Sequence, residues 1–234
     1  MAGATPSSDA TSPTPYFSHQ RDDVEPFVPA SARRILDVGC AAGRFGQLVR
    51  SRRPGSTVHG IEPNAEAAAS ATQLLDAVHC GPFGAAALLA LGSATYDCVV
   101  FNDVLEHLVD PAAALVAARQ VLAPGGTLVA SVPNVRNFRT LDEILRGGRF
   151  RYRESGVLDA THLRFFCRAD LVELFQGCGF AVQTVTGTNA LWLSNWRRWR
   201  LASWCIGNDL RHDGRYQQFI VVATPAGASP APRS

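Results

Sequence analysis

Residues 101–111 read FNDVLEHLVDP and follow the apolar run CVV, so three ionisable side chains, Asp103, Glu106 and His107, open where a buried strand ends. On a helix, positions i, i+3 and i+4 share one face, and two carboxylates and an imidazole would converge on one small volume. Such a set can ligate a cation or move a proton. It is also the composition of a solvated helix start, where carboxylates are favourable without any function. A second chemical stretch, ILDVGCAAGRFG at residues 35–46, places glycines directly after an apolar run, where backbone must approach a ligand closely. Asp37, two residues before the first glycine, suits an ammonium group and would repel a pyrophosphate. Glu62 in GIEPN is placed to accept from two ribose hydroxyls. Turn glycines and a helix-start carboxylate are the plain readings of each feature alone. The ordered set points to a nucleotide cofactor, with NAD and S-adenosylmethionine as the competing classes and Asp37 favouring the second.

These groups need rigid elements behind them. Short runs rich in Val and Ile (RRILDV, STVHGIE, AVHC, YDCVVFN and GTLVASV) alternate with Ala- and Leu-rich segments (RFGQLVRSRR, NAEAAASATQLL, FGAAALLAL and PAAALVAARQVL). This rhythm predicts βα units around a mostly parallel sheet. Asn64 and Asp110 stand at N-cap positions and Pro111 at a first-turn position. After Pro133 the rhythm breaks into an Arg-rich stretch. RADLVELFQGCGF then reads as a helix ending at Gly177 or Gly179, and AVQTVTG and RYQQFIVVATP as an antiparallel finish to the sheet.

The 234 residues suit one α/β domain with decorations. The 22 basic and 20 acidic residues nearly cancel, to +2, which argues against a stable nucleic acid complex. Six cysteines show no zinc-type spacing and read as reduced core thiols. The first residues have neither the basic nor the apolar region of an export signal, and no run of about 18 apolar residues occurs, so a cytoplasmic protein with no transmembrane segment is expected. Residues 1–15 and 225–234, rich in Pro, Ser and Ala, are expected to be disordered tails around a domain at 16–224.

LDVGCAAG, GIEPN, YDCVVFNDVLEHLVDP and LAPGGTLVASVPN together resemble class I S-adenosylmethionine-dependent methyltransferases, in that family's order, over roughly residues 31–186. The resemblance implies a Rossmann-like seven-stranded sheet in the order 3-2-1-4-5-7-6, last strand antiparallel, flanked by helices. It implies a cofactor set of Asp37, Gly39, Cys40, Gly43, Glu62, Pro63, Gly81 and Asn102, with Asp37 at the methionine end, Glu62 at the ribose and Asn102 by the sulfonium. Ala41 stands where the family usually has a glycine, a small change of one methyl that is expected to leave the tight turn intact, and HCGPFGAA lacks the acidic adenine contact of many members, leaving backbone near Gly81 and the ring of Phe83.

GRFRYRESGVLDATHLRFFCRADLVELFQGCGF resembles bacterial glycan and secondary-metabolite methyltransferases, with Asp159, Thr161, His162, Phe165 and Phe166 at the matching positions. Similar patterns occur in ubiquinone-biosynthesis O-methyltransferases and in small-RNA terminal 2′-O-methyltransferases. There an acidic residue, a Glu-His pair and a distant histidine bind a divalent cation, which implies Asp103, Glu106, His107 and His162 here. Three readings stay open: these four hold Mg²⁺, Mn²⁺ or Zn²⁺; His162 or His107, with Asp103 nearby, serves as a catalytic base without metal; or the group is a structural cap. Arg136, Arg139, Arg146, Arg149, Arg151, Arg153, Arg164 and Arg168 crowd this region, as a solvated face or toward an anionic acceptor. Trp192, Trp196, Trp199 and Trp204 fall near helical spacing, as core or as a lid; 134–168 and 188–213 are the expected substrate-shaping insertions.

The expected activity is methyl transfer to an oxygen of a small-molecule or glycan acceptor, an anionic one included. N-methylation and RNA terminal 2′-O-methylation are the alternatives within the class, an NAD-dependent oxidoreductase and a non-catalytic binding module those outside it.

Overall fold

The computed structural model describes residues 21–92, 95–190 and 208–227. Their order is β1 (Arg34–Val38), α1 (Arg44–Arg52), β2 (Thr57–Glu62), α2 (Ala65–Ala71), β3 (Ala77–Cys80), α3 (Ala85–Ala90), β4 (Tyr96–Asn102), α4 (Pro111–Val121), β5 (Leu122–Pro133), α5 (Phe138–Gly147), α6 (Arg168–Gly177), β6 (Phe180–Ala190), α7 (Asn208–Asp213) and β7 (Tyr216–Pro225). One sheet runs β3-β2-β1-β4-β5-β7-β6. The first five strands pair in parallel, and β7 enters antiparallel between β5 and β6.

A parallel sheet is covered on both faces, so its strands must be apolar on both sides. Alternate residues of one strand accordingly feed opposite cores. Val99, Phe101, Leu128, Ala130, Phe219 and Val221 pack with α4 and α6, while Cys98, Val100, Val129 and Ile220 pack with α1 and the N-terminal segment. Cys40, Cys98 and Cys178 are buried and unbridged, as expected of core cysteines, whereas the unbridged Cys167 is half-buried and Cys80, at the end of the edge strand β3, is exposed. No helix among the described residues is long and apolar enough to cross a membrane.

Caps fix where the helices begin. Asn64 accepts from the Ala67 N–H at 3.0 Å and Asp110 from the Ala113 N–H at 2.9 Å, with Pro111 opening α4. α6 ends at Gly177, and the chain turns at Gly179 with φ +80°. The strand predicted as GTLVASV is longer, reaching back to Leu122, where it pairs with Tyr96 across an irregular register. The expected tail at 1–15 and the tryptophan segment fall outside the described residues, as do 228–234 of the tail expected at 225–234, whereas Pro225 ends β7 and residues 226–227 form a turn.

The chain winds outward from β1 in one direction and from β4 in the other, so the carboxyl ends of these neighbours bound the crevice where such sheets bind ligands. Asp110→Ala leaves this architecture intact and removes one cap. It is expected to cost about 1 kcal/mol, a Tm lower by about 2–4 °C in a thermal melt.

Candidate active site

Three loops meet at that crevice. β1 carries Asp37 opposite Gly60 of β2 and Val100 of β4. Asp37 is 1% exposed, and neither carboxylate oxygen has a hydrogen-bond partner among the described residues. Burial, reinforced by Glu62, pushes its carboxyl up to about 8. Gly39 follows with φ +71°, and a Cβ there would lie 2.5 Å from a methyl of Val104, so glycine is required twice over. Ala41 also takes a left-handed φ, +47°, so the methyl in place of the usual glycine strains this turn rather than being neutral. Gly43, φ +79°, is the N-cap of α1.

Glu62 ends β2, with Oε2 accepting from the Ala41 N–H (2.9 Å) and Oε1 from the Asn64 N–H (2.8 Å). Those two bonds fix the carboxylate toward the glycine loop and leave lone pairs for a ligand's hydroxyls. The Cys40 side chain packs into the core beside Gly60, so only its backbone borders the crevice; Pro63 is exposed on the rim. Gly81 donates its N–H to the Glu62 carbonyl at 3.0 Å, holding the β3 loop to the β2 end. Phe83 packs edge-on against Phe101, centroids 5.5 Å apart. At the end of β4, both polar atoms of the Asn102 side chain are buried without a partner among the described residues.

The 101–111 stretch departs from the helical face its spacing predicted. Asp103 has φ +53°, and only Leu105–His107 form one 3₁₀ turn, so the three side chains do not share the face of one helix. The Asp103 carboxylate pairs with Arg21 and accepts from Ser131 Oγ (3.0 Å) and Gln218 Nε2 (2.8 Å). Asp103 therefore leaves the expected four-residue set.

Glu106, His107 and His162 do converge, with one ligand-type atom of each within 4.8 Å of the others. Glu106 is 1% exposed with both oxygens unpartnered among the described residues; burial, then the Asp103 charge, hold its carboxyl well above the usual range. His162 Nδ1 faces the Val157 carbonyl at 3.1 Å, and its Nε2 lies 4.0 Å from Glu106 Oε1. Burial lowers the pKa of His162, so it stays neutral near pH 7. His107 Nδ1 faces the Thr161 carbonyl at 3.2 Å, and the two imidazoles stand 4.8 Å apart, edge to face. A carbonyl can only accept, so each Nδ1 bears the proton and each Nε2 offers a lone pair.

The arginines divide. Arg168 is bound to Asp213 (2.8 Å), Arg153 to Glu143 (2.5 Å), Arg146 to Asp142, and Arg164 to the Val109 carbonyl (2.6 Å). Arg151 has no acidic partner among the described residues. It lines a recess of about 650 Å³ with Tyr152, Arg153, Glu154 and Ala160, next in sequence to Thr161. Arg21, Ser131 and Gln218 were missed by sequence reasoning; the one local hint was a Gln pair at 217–218 heading an otherwise apolar strand.

A family model described as a methyltransferase domain matches residues 16–185. The chain belongs to that family. A ubiquinone biosynthesis O-methyltransferase of Psychrobacter arcticus is 30% identical over 178 residues, covering 70% of this chain and 67% of that protein. A trans-aconitate 2-methyltransferase of Streptomyces avermitilis is 30% identical over 188 residues, covering 69% of this chain and 66% of that protein. Among solved structures, a SAM-dependent methyltransferase from Archaeoglobus fulgidus superposes with a TM-score of 0.60 at 18% identity, covering 89% of this chain and 96% of that one.

The protein is thus an S-adenosylmethionine-dependent methyltransferase with a seven-stranded Rossmann-like sheet. The crevice residues fit that donor. A cationic amino group would neutralise Asp37, ribose hydroxyls have Glu62 to donate to, and Asn102 awaits a polar partner near the methionine end. The unpartnered Asp37 carboxyl also sets a pH dependence. Its folded pKa lies above the unfolded value of 3.8, so its contribution to stability is complete below about pH 4 and is lost as pH rises to about 8. Asp37→Asn is expected to raise the Tm of the ligand-free methyltransferase at pH 8, by about 2–4 °C per kcal/mol relieved, with the gain fading toward pH 5. The same variant should lose the thermal shift that S-adenosylmethionine gives the wild type.

Proposed function

We propose that the methyltransferase acts on a hydroxyl oxygen of a small-molecule or glycan acceptor seated over Glu106, His107 and His162, which also hold a divalent cation. The observation that carries this is the convergence of Glu106, His107 and His162, one ligand-type atom of each within 4.8 Å of the others, on a buried carboxylate with no hydrogen-bond partner among the described residues. Two imidazoles and a carboxylate on one side suit Mn²⁺, Mg²⁺ or Zn²⁺ with positions left open for acceptor oxygens. A cation there would lower the pKa of an acceptor hydroxyl and orient it. The chain's own residues do the rest. Asp37 and Glu62 hold the donor's two ends, Asn102 borders the sulfonium, and the 3₁₀ turn that follows β4 brings Glu106 and His107 alongside it. The acceptor oxygen forms its bond to the methyl carbon as the carbon–sulfur bond breaks in line. Sulfur keeps the electron pair, giving S-adenosylhomocysteine, and the hydroxyl proton leaves to solvent. Close placement of oxygen against methyl supplies much of the acceleration.

Transfer to oxygen accords with a relative named as an O-methyltransferase. The recess lined by Arg151 and Arg153 would take a negatively charged part of the acceptor, in keeping with a second relative named a trans-aconitate 2-methyltransferase. The charge of +2 gives no support to an RNA acceptor.

Exhaustive chelation is expected to abolish turnover, and Mg²⁺ or Mn²⁺ to restore it. Glu106→Gln should lower kcat by at least about 100-fold, because loss of an outer partner alone costs about 10–100-fold, while S-adenosylmethionine affinity stays unchanged. Full activity after chelation would reject the cation and leave a histidine as base.

A further inference from the structure

Behind the convergent side chains lie Asp159 and Thr161, which bear on where His107 carries its proton. Asp159 is 4% exposed, and its Oδ1 accepts from the Thr161 N–H at 2.8 Å and from the Thr161 hydroxyl at 2.6 Å. Thr161 Oγ1 lies 3.1 Å from His107 Nδ1, and the Thr161 carbonyl lies 3.2 Å from the same nitrogen. A hydroxyl has one proton. Once that proton is committed to Asp159, Oγ1 can only accept, so both groups facing His107 Nδ1 are acceptors and the ring proton must sit there. Without Asp159 the hydroxyl is free to rotate and donate to Nδ1. That donation would compete with the Thr161 carbonyl for Nδ1 and admit a share of the other tautomer, with the proton on Nε2.

The loop is anchored for this task. The N–H groups of Leu163 and Arg164 donate to the Glu106 carbonyl at 2.8 and 3.0 Å, and the His162 N–H donates to the Asp159 carbonyl at 3.1 Å. Val157, in the same loop, supplies the carbonyl on His162 Nδ1. One segment thus sets both imidazoles and is clamped to the turn bearing the carboxylate they face.

We propose that Asp159, acting through the Thr161 hydroxyl, is a positioning residue that holds His107 in the tautomer with its proton on Nδ1 and its lone pair on Nε2. This rests on the assignment of Glu106, His107 and His162 as the reaction site.

The test is ¹⁵N NMR of histidine-labelled full-length protein, metal-free, for wild type, Asp159→Ala, Thr161→Val and Thr161→Ser. Wild type and Thr161→Ser are expected to show His107 protonated at Nδ1. Asp159→Ala is expected to show a mixture with substantial Nε2–H, and Thr161→Val a weakened Nδ1 preference. Turnover should fall by about 10–100-fold in Asp159→Ala with KM for S-adenosylmethionine unchanged, and recover in Thr161→Ser. Should Asp159→Ala disturb the loop, Thr161→Val against Thr161→Ser carries the comparison, since those two differ from wild type by one group each. A His107 tautomer identical in all four proteins would overturn the proposal. Full turnover in His107→Ala would instead overturn the site assignment, so the two failures are distinguishable.

Discussion

A carboxylate buried without a partner at the carboxyl end of β1 is the constraint around which this molecule is arranged. Placing Asp37 between Gly60 and Val100, 1% exposed, sacrifices stability that an asparagine or an alanine would retain. The amino group of S-adenosylmethionine, a cation, would offset that cost, and the neighbouring features suit such a ligand: glycines that leave the approach open, Glu62 fixed by two backbone N–H groups, and Asn102 with both polar atoms unpartnered among the described residues. The sheet order matters for the same reason, since only at the β1/β4 switch point do two neighbouring loops part to leave room for a ligand.

Beyond the donor, the fold separates two acidic residues three positions apart into opposite circumstances. Asp103 is twisted into a left-handed conformation and tied to Arg21, Ser131 and Gln218, which joins the N-terminal segment to β5 and β7. Glu106 is buried with no side-chain hydrogen-bond partner among the described residues, its carboxylate converging with His107 and His162. The 157–164 loop is tied to the Glu106 carbonyl and brings a carbonyl to Nδ1 of each histidine.

Much of this was legible in the residues alone. Continuous apolar runs reported strands covered on both faces, Asn64 and Asp110 marked the helix starts that their side chains now cap, and the glycines after LDV located the donor loop. The cofactor carboxylates stand where local spacing put them because they end strands, and strand ends follow from short-range pattern. Asp103 was misplaced because its direction depends on one positive φ and on Arg21, 82 residues away in sequence. The same holds for Thr161 and His107, 54 residues apart: a long-range hydrogen bond leaves no periodicity to read. Ala41 was read as harmless because sequence gives residue type and not dihedral angle.

The most direct measurement is a crystal structure of the methyltransferase with S-adenosylhomocysteine. The ligand's amino group should lie within hydrogen-bond distance of Asp37, its ribose hydroxyls on Glu62, and its sulfur beside Asn102 facing Glu106, His107 and His162. A ribose bound away from Glu62, or a sulfur directed away from those three side chains, would contradict the account.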